Sequence, residues 1–304
     1  MKFIFTFIIF SLLLLLPDSI VQAKEVQGIS ITPPFQELVI LEKDNQVPFS
    51  IEFRNQTDTN KTLRFSVIDF GSLDESGGVA FLGNAGEAIE KKYGLASWII
   101  LEKDNMELDP GGKQILKVTV ENRESLSPGG HYGAIMVYVG KEEEASLVSF
   151  TQVISSLVFV KKTGGEKYGM NLAEKSYIKN KLFFPRQVNL RFQNTGNVHL
   201  VPRGVVTVTD WIGRTIGKGI INQETGRILP ESFRIYPVVL EMIGSPILPG
   251  MYNVDIDYRY SEKKNFDRAT FSFFYPGFLG FGIVVLLIIL FVVIILRLLR
   301  IRRK

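Results

Sequence analysis

The chain has 304 residues, 46% hydrophobic and 22% charged, with a formal net charge of +4, a pI near 9.0 and no cysteine. Lys2 and five cations among the last eight residues carry the positive balance, so the stretch between the ends is near −1 and offers no electrostatic footprint for nucleic acid. The lack of cysteine excludes disulfide staples, thiolate metal sites and thiol catalysis.

Taken in chain order, residues 1–23 read as a signal peptide. Met1-Lys2 is a short positive start, Phe3 to Leu16 is apolar apart from Thr6 and Ser11, Pro17 breaks the run, and Val21-Gln22-Ala23 suits a signal peptidase. A retained N-terminal anchor is the rival, and the early proline and that site argue against it. Residues 24–162 follow a period of two, the mark of half-buried strands. Val47, Phe49, Ile51 and Phe53 alternate with polar neighbours, Leu63, Phe65 and Val67 repeat the pattern, and Val118 and Val120 follow the turn Pro110-Gly111-Gly112. Tyr132 to Val139 is entered through Pro128-Gly129-Gly130, and Phe150 to Val160 reads as a strand buried in a sheet. Lys141-Glu142-Glu143-Glu144 is a solvated hairpin tip, and Gly86 to Tyr93, closed by Gly94, is the single helical passage.

Residues 163–167 form a polar, glycine-bearing linker, and a second strand series fills 168–277. Val188, Leu190 and Phe192 alternate, as do Tyr252, Val254, Ile256 and Tyr258. Between them come Val206 with Val208, Ile220 with Ile221, and Phe233 with Ile235. Phe271 and Phe273 share one face of the last strand. The fold class is therefore all-β, two tandem Ig-like β-sandwiches. Residues 278–296 are uncharged and proline-free, about 28 Å as a helix, and predict a single transmembrane helix. Arg297, Arg300, Arg302, Arg303 and Lys304 in the tail 297–304 read as stop-transfer charges, placing the protein in the cell membrane with its N-terminus outside and its C-terminus in the cytoplasm.

Catalytic and metal signatures are missing. His131 and His199 are the two histidines, and no H-E-x-x-H, G-x-S-x-G or phosphate-cradling glycine loop occurs. Lys162-Thr163-Gly164 matches the K-T-G of penicillin-binding enzymes, but the S-x-x-K matches at Ser176 and Ser261 come after it and S-D-N is absent. Leu41-Glu-Lys-Asp-Asn45 recurs as Leu101-Glu-Lys-Asp-Asn105, which reads as two strand exits and lacks the converging oxygens of a calcium site. The reading is a binding protein with no enzymatic activity, no metal and no cofactor.

In Gly28-Ile-Ser-Ile-Thr-Pro-Pro34, Phe53-Arg-Asn-Gln-Thr57, Ala96-Ser-Trp98, Leu108-Asp-Pro-Gly111 and Pro128-Gly-Gly-His-Tyr-Gly133 the first domain resembles the WxL-interacting proteins of Gram-positive bacteria. In the second domain the resemblance is a general pattern, through Asn194-Thr-Gly-Asn197 and Ile228-Leu-Pro-Glu-Ser232. The resemblance implies peptidoglycan binding by the first domain and partner-protein binding by the second. The expected ligand is thus cell-wall polysaccharide or another surface protein. Sugar sites set aromatic rings against the apolar sugar face, which makes Trp98, His131, Tyr132 and Trp211 the candidate ligand-binding residues. The alternative is an envelope assembly chaperone that donates a strand to a client.

Overall fold

The computed structural model describes residues 28–82, 91–141, 150–177, 183–260 and 263–302. The expected signal peptide and the residues Arg303 and Lys304 lie outside the described residues, as does most of the expected Gly86–Tyr93 helix.

The first sandwich takes its strands from alternating hydrophobes. One sheet contains β1 (Ile29–Thr32), β3 (Gln46–Asn55), β8 (Lys113–Glu121) and β6 (Ile99–Leu101), in the order β1-β3-β8-β6. The other contains β2 (Phe35–Ile40), β4 (Lys61–Ser72), β5 (Val79–Leu82), β9 (Gly129–Lys141) and β10 (Phe150–Lys162), ordered β2-β10-β9-β4-β5, with β7 (Asn105–Leu108) also paired to β4. Ile51, Phe53, Leu63, Leu116, Val120, Val137 and Val160 meet between the sheets. Each such side chain contributes about 1.5–3 kcal/mol on burial. Two prolines make the chain change sheets. β1 pairs with β3, the Thr32–Pro33 bond is cis, Pro34 follows, and β2 then runs parallel to β10 in the opposite sheet.

The second sandwich packs β11 (Met170–Tyr177), β12 (Gln187–Asn194) and β15 (Phe233–Val239) against β13 (Pro202–Asp210), β14 (Thr215–Ile221), β16 (Glu241–Met242), β17 (Gly250–Tyr260) and β18 (Asp267–Tyr275). Its core holds Val188, Leu190, Phe192, Val206, Val208, Val254 and Ile256. The phase of β15 differs from the sequence expectation: Tyr236 and Val238 are buried, and Ile235 faces outward.

One asparagine does the same work in each domain. Asn55, at the end of β3, donates from Nδ2 to the carbonyls of Thr59, Leu108 and Asp109 and accepts the Thr57 N–H. Asn194, at the end of β12, donates to Val198 and Ile228 and accepts the Gly196 N–H. Both are fully buried, and each ties three chain segments that would otherwise bury unpaired carbonyls.

The helix α1 spans Gly277–Arg302, and its side chains from Ile283 to Leu296 are all exposed. The expectation of a membrane crossing at 278–296 is corrected: among the described residues no helix is long and apolar enough to cross a membrane. The cell-membrane localisation and the orientation drawn from Arg297, Arg300, Arg302, Arg303 and Lys304 are withdrawn with it.

Candidate binding surface at the domain junction

Four aromatic candidates end in different places. His131 is 2% and Tyr132 1% exposed. Trp98 sits in a short 3₁₀ turn before β6, packed against the first core with its ring 6.2 Å from that of His131. Trp211 is 58% exposed, in the turn that follows β13. That turn lies a full nine-residue strand, roughly 30 Å, from the start of β13. The structure therefore groups three candidates in the first domain and leaves Trp211 apart.

Burial of the ring pair has a clear cause. Tyr132, Phe70 and Phe159 form a cluster on the outer face of the second sheet, and Leu229 of the second domain packs on it. A β-carbon at Gly130 would strike the Tyr132 hydroxyl, and β-carbons at Gly129 and Gly130 would sit tightly against Asn197 and the Val198 backbone, so these glycines ease the close approach of the second domain. Gly129 also takes a φ of +128°, a conformation that side chains disfavour. The Gly130 N–H donates to the Asn197 carbonyl at 2.7 Å. A sugar ring would have to displace the second domain to stack on Tyr132. Tyr132 is therefore closed to a sugar ring while the two domains hold this arrangement.

His131 is held on both sides. Nδ1 lies 3.1 Å from the Gly94 carbonyl and Nε2 2.7 Å from that of Ser127. Both are acceptors, and a neutral imidazole has one N–H to offer. Burial nonetheless lowers its pKa, with the two carbonyls pulling the other way. Burial also pushes the Tyr132 phenol well above its usual range.

Across the junction runs a polar chain that sequence reading missed. Glu37 of β2 accepts from His199 Nε2 at 3.0 Å and from Arg227 Nη2 at 2.6 Å. With Nε2 committed as the donor, His199 Nδ1 is left to accept the Tyr132 hydroxyl at 3.4 Å. The Arg227 guanidinium lies over the rings of Phe35 and Phe159. The His199 bond, then Arg227, hold the Glu37 carboxyl down at about 2 against an opposing push from burial. Arg191 grips Glu75 through two parallel bonds of 2.7 and 2.6 Å, and the Ile235 N–H donates to the Glu75 carbonyl. The expected linker is tied down too: Asn197 donates to the Gly165 carbonyl and accepts the Lys167 N–H.

Next to this junction the edge of β10 is left open. β2 covers β10 from Leu157 to Lys162, where the Leu157 N–H donates to the Pro34 carbonyl. From Gln152 to Ser156, β10 pairs with β9 alone. Backbone groups alternate sides along a strand, so Val153 and Ser155 point theirs the same way as Leu157, with no strand there to receive them among the described residues. The stretch reads Gln-Val-Ile-Ser-Ser, without the charge or proline that usually blunts an edge. Val153 is 51% exposed, and Ile154 leans on the first core. The sequence expectation of a strand buried in a sheet thus holds for the second half of β10 and not for the first. Among the described residues, no group of acids and histidines is arranged to hold a metal ion.

No family model and no curated protein matches the chain. Among solved structures it is similar to the YadV chaperone, at 10% identity and a TM-score of 0.38 over 81% of this chain and 99% of that one. It is also similar to the class 5 fimbriae chaperone CfaA, at 9% identity and a TM-score of 0.41 over 82% and 99%. The E. coli chaperone DraB, at 12% identity and a TM-score of 0.36 over 81% and 97%, is a third. None of these is described as a peptidoglycan binder. All three TM-scores lie below one half, so the likeness assigns this chain neither partner nor activity.

Proposed function

We propose that this protein is a two-domain binding protein that takes up an extended polypeptide by strand addition at the open edge of β10. The observation that carries the reading is the run Gln152–Ser156, paired on one side only and free of charge and proline. Strand addition satisfies backbone donors and acceptors on both chains at once, and alternate side chains supply the selectivity. A guest strand here sets one row of side chains beside Ile154 on the core face. The other row falls beside Val153 and Leu157. It differs from the strand-donating chaperone alternative of the sequence analysis in that the edge of β10 receives the strand of its guest. The reading includes no chemical step.

Val153→Pro is the direct test. Proline at 153 removes an N–H that faces the open side and leaves the β9 bonds in place, so the domain keeps its fold. The probe is a synthetic peptide of about ten residues with alternating Val and Thr. The full chain binds it, amide exchange at Val153 and Ser155 slows on binding, and Val153→Pro weakens binding at least about tenfold with an unchanged melting temperature. Peptide binding without protection of those two amides overturns the reading, as does undiminished binding by the variant.

A further inference from the structure

Trp211 is presented by a turn built around a buried charge. Asp210 is 1% exposed; one carboxylate oxygen accepts the Ile212 N–H at 3.2 Å and the Arg214 N–H at 2.8 Å, and the other accepts Arg214 Nε at 2.8 Å. Gly213, at a φ of +84°, closes the turn by donating its N–H to the Asp210 carbonyl. The indole rests on Gly250, where a β-carbon would strike Cδ1 and Nε1. A carboxylate is costly to bury unless it is paired and hydrogen-bonded. Here that arrangement fixes a ring that stays 58% exposed and whose N–H meets no acceptor among the described residues.

The ring stands at one end of the outer face of the second domain's larger sheet. Cross-strand register sets Thr209, Asn253 and Ser272 side by side on β13, β17 and β18, with Thr207, Asp255 and Thr270 in the row behind. On the near side Met251 pairs with Phe274, and the two are 47% and 64% exposed. Ser272 Oγ donates to Asn253 Oδ1 at 2.7 Å, which leaves the Asn253 Nδ2 donors available. The threonine hydroxyls of both rows make no hydrogen bond among the described residues. These side chains are short, so fixing them against a ligand costs less rotamer freedom than fixing lysine or glutamate. Rows about 6.8 Å apart on strands about 4.8 Å apart give a surface of roughly 10 by 14 Å. A folded protein partner covers about 800 Å², several times more. The next row carries the Asp257–Arg268 ion pair, which bounds the surface.

We infer that this face is a second binding site, for an extended neutral oligosaccharide. Trp211 and Phe274 stack against the apolar faces of sugar rings, and Thr209, Asn253 and Asp255 exchange hydrogen bonds with the sugar hydroxyls. Asp255 is the one ionised side chain in the two polar rows, so the affinity owes little to charge. A β-linked chain fits best, because its equatorial linkages make a flat ribbon that can lie along a sheet. The site is separate from the open edge of β10 and does not depend on it.

The test is calorimetry on the full chain with cellohexaose and chitohexaose, two flat β-linked probes, and with maltohexaose, whose α-linkages coil the chain. At least one β-linked probe should bind about tenfold more tightly than maltohexaose. Its affinity should hold between about 0.05 and about 0.5 M salt. Trp211→Ala should weaken it at least about tenfold, Trp211→Tyr should restore most of the loss, and Asn253→Ala should cost about fivefold. Both positions are exposed, so the melting temperature should stay that of the parent. Val153→Pro should leave sugar binding unchanged, which separates this site from strand addition. No binding of either β-linked probe at about 1 mM overturns the inference. Undiminished binding by Trp211→Ala also overturns it, as does an affinity lost at the higher salt.

Discussion

Glu37 and His199, 162 residues apart, meet across the domain junction with Nε2 3.0 Å from Oε1. This contact joins β2 to the second domain beside the place where β10 loses its outer partner. Arg227 completes it from the other carboxylate oxygen. A carboxylate charge thus sits between the two sandwiches, paired from both of its oxygens by second-domain side chains.

The first prediction follows from that charge. A carboxyl depressed to about 2 contributes stability in full above its unfolded value near 4.5, and that contribution is lost as pH falls through 2. Glu37→Gln should therefore lower the melting temperature at pH 6 and change it progressively less as pH falls from about 4.5 toward 2. A constant difference across that window would show that Glu37 acts by packing and not by charge. Because the carboxyl is half exposed, solvent screening limits the effect.

A second acid step belongs to His131. Its pKa is lowered chiefly by burial, so the neutral ring is the folded form. Stability tied to it is complete above about 6.5 and is lost as pH drops from there toward the depressed folded value. Thermal melts of the parent should start to weaken as pH falls below about 6.5, before the Glu37 step begins. In His131→Asn this early step should vanish, although the variant starts lower by about 1–3 kcal/mol from carbonyls left unpaired. Persistence of the early step in the variant would move its origin elsewhere.

Gly130 tests whether the two sandwiches act as one body. A β-carbon there meets the Tyr132 hydroxyl and the Val198 backbone. Gly130→Val should break the Gly130–Asn197 hydrogen bond and increase the radius of gyration in small-angle scattering, with both sandwiches still folded by circular dichroism. An unchanged radius would mean that the Glu75–Arg191 and Glu37–Arg227 pairs suffice to hold the domains without the close backbone approach.

Much of the fold was legible in the residues. Val47, Phe49, Ile51 and Phe53 alternate because β3 has one face on the core, and Val188, Leu190 and Phe192 do so for the same reason in β12. Period two identifies such strands wherever one side is dry and the other wet. Asn55 and Asn194 stood in turn-like strings, Asn-Gln-Thr and Asn-Thr-Gly, and both close the exits of their strands. The phase of β15 was misread, because Phe233 and Ile235 pattern equally well with Tyr236 and Val238 as a short apolar run, and the facing sheet alone settles which row turns inward.

The candidate site was mostly hidden. His131 and Tyr132 were expected to face a ligand, but both are buried: Tyr132 meets Phe70, Phe159 and His199, contributed from far along the chain, and His131 is held by the Gly94 and Ser127 carbonyls. The sequence by itself determined the strands, the glycine turns and the two cores, since these depend on local alternation and on which residues tolerate a turn. Only the tertiary structure decided which length of β10 is unpaired, that Glu37 meets His199 and Arg227, and that Arg234 lies against Gly77 and Gly226. Those outcomes depend on where two proline residues move the first strand from one sheet to the other and on how one sandwich leans against the next, and neither leaves a period in the sequence.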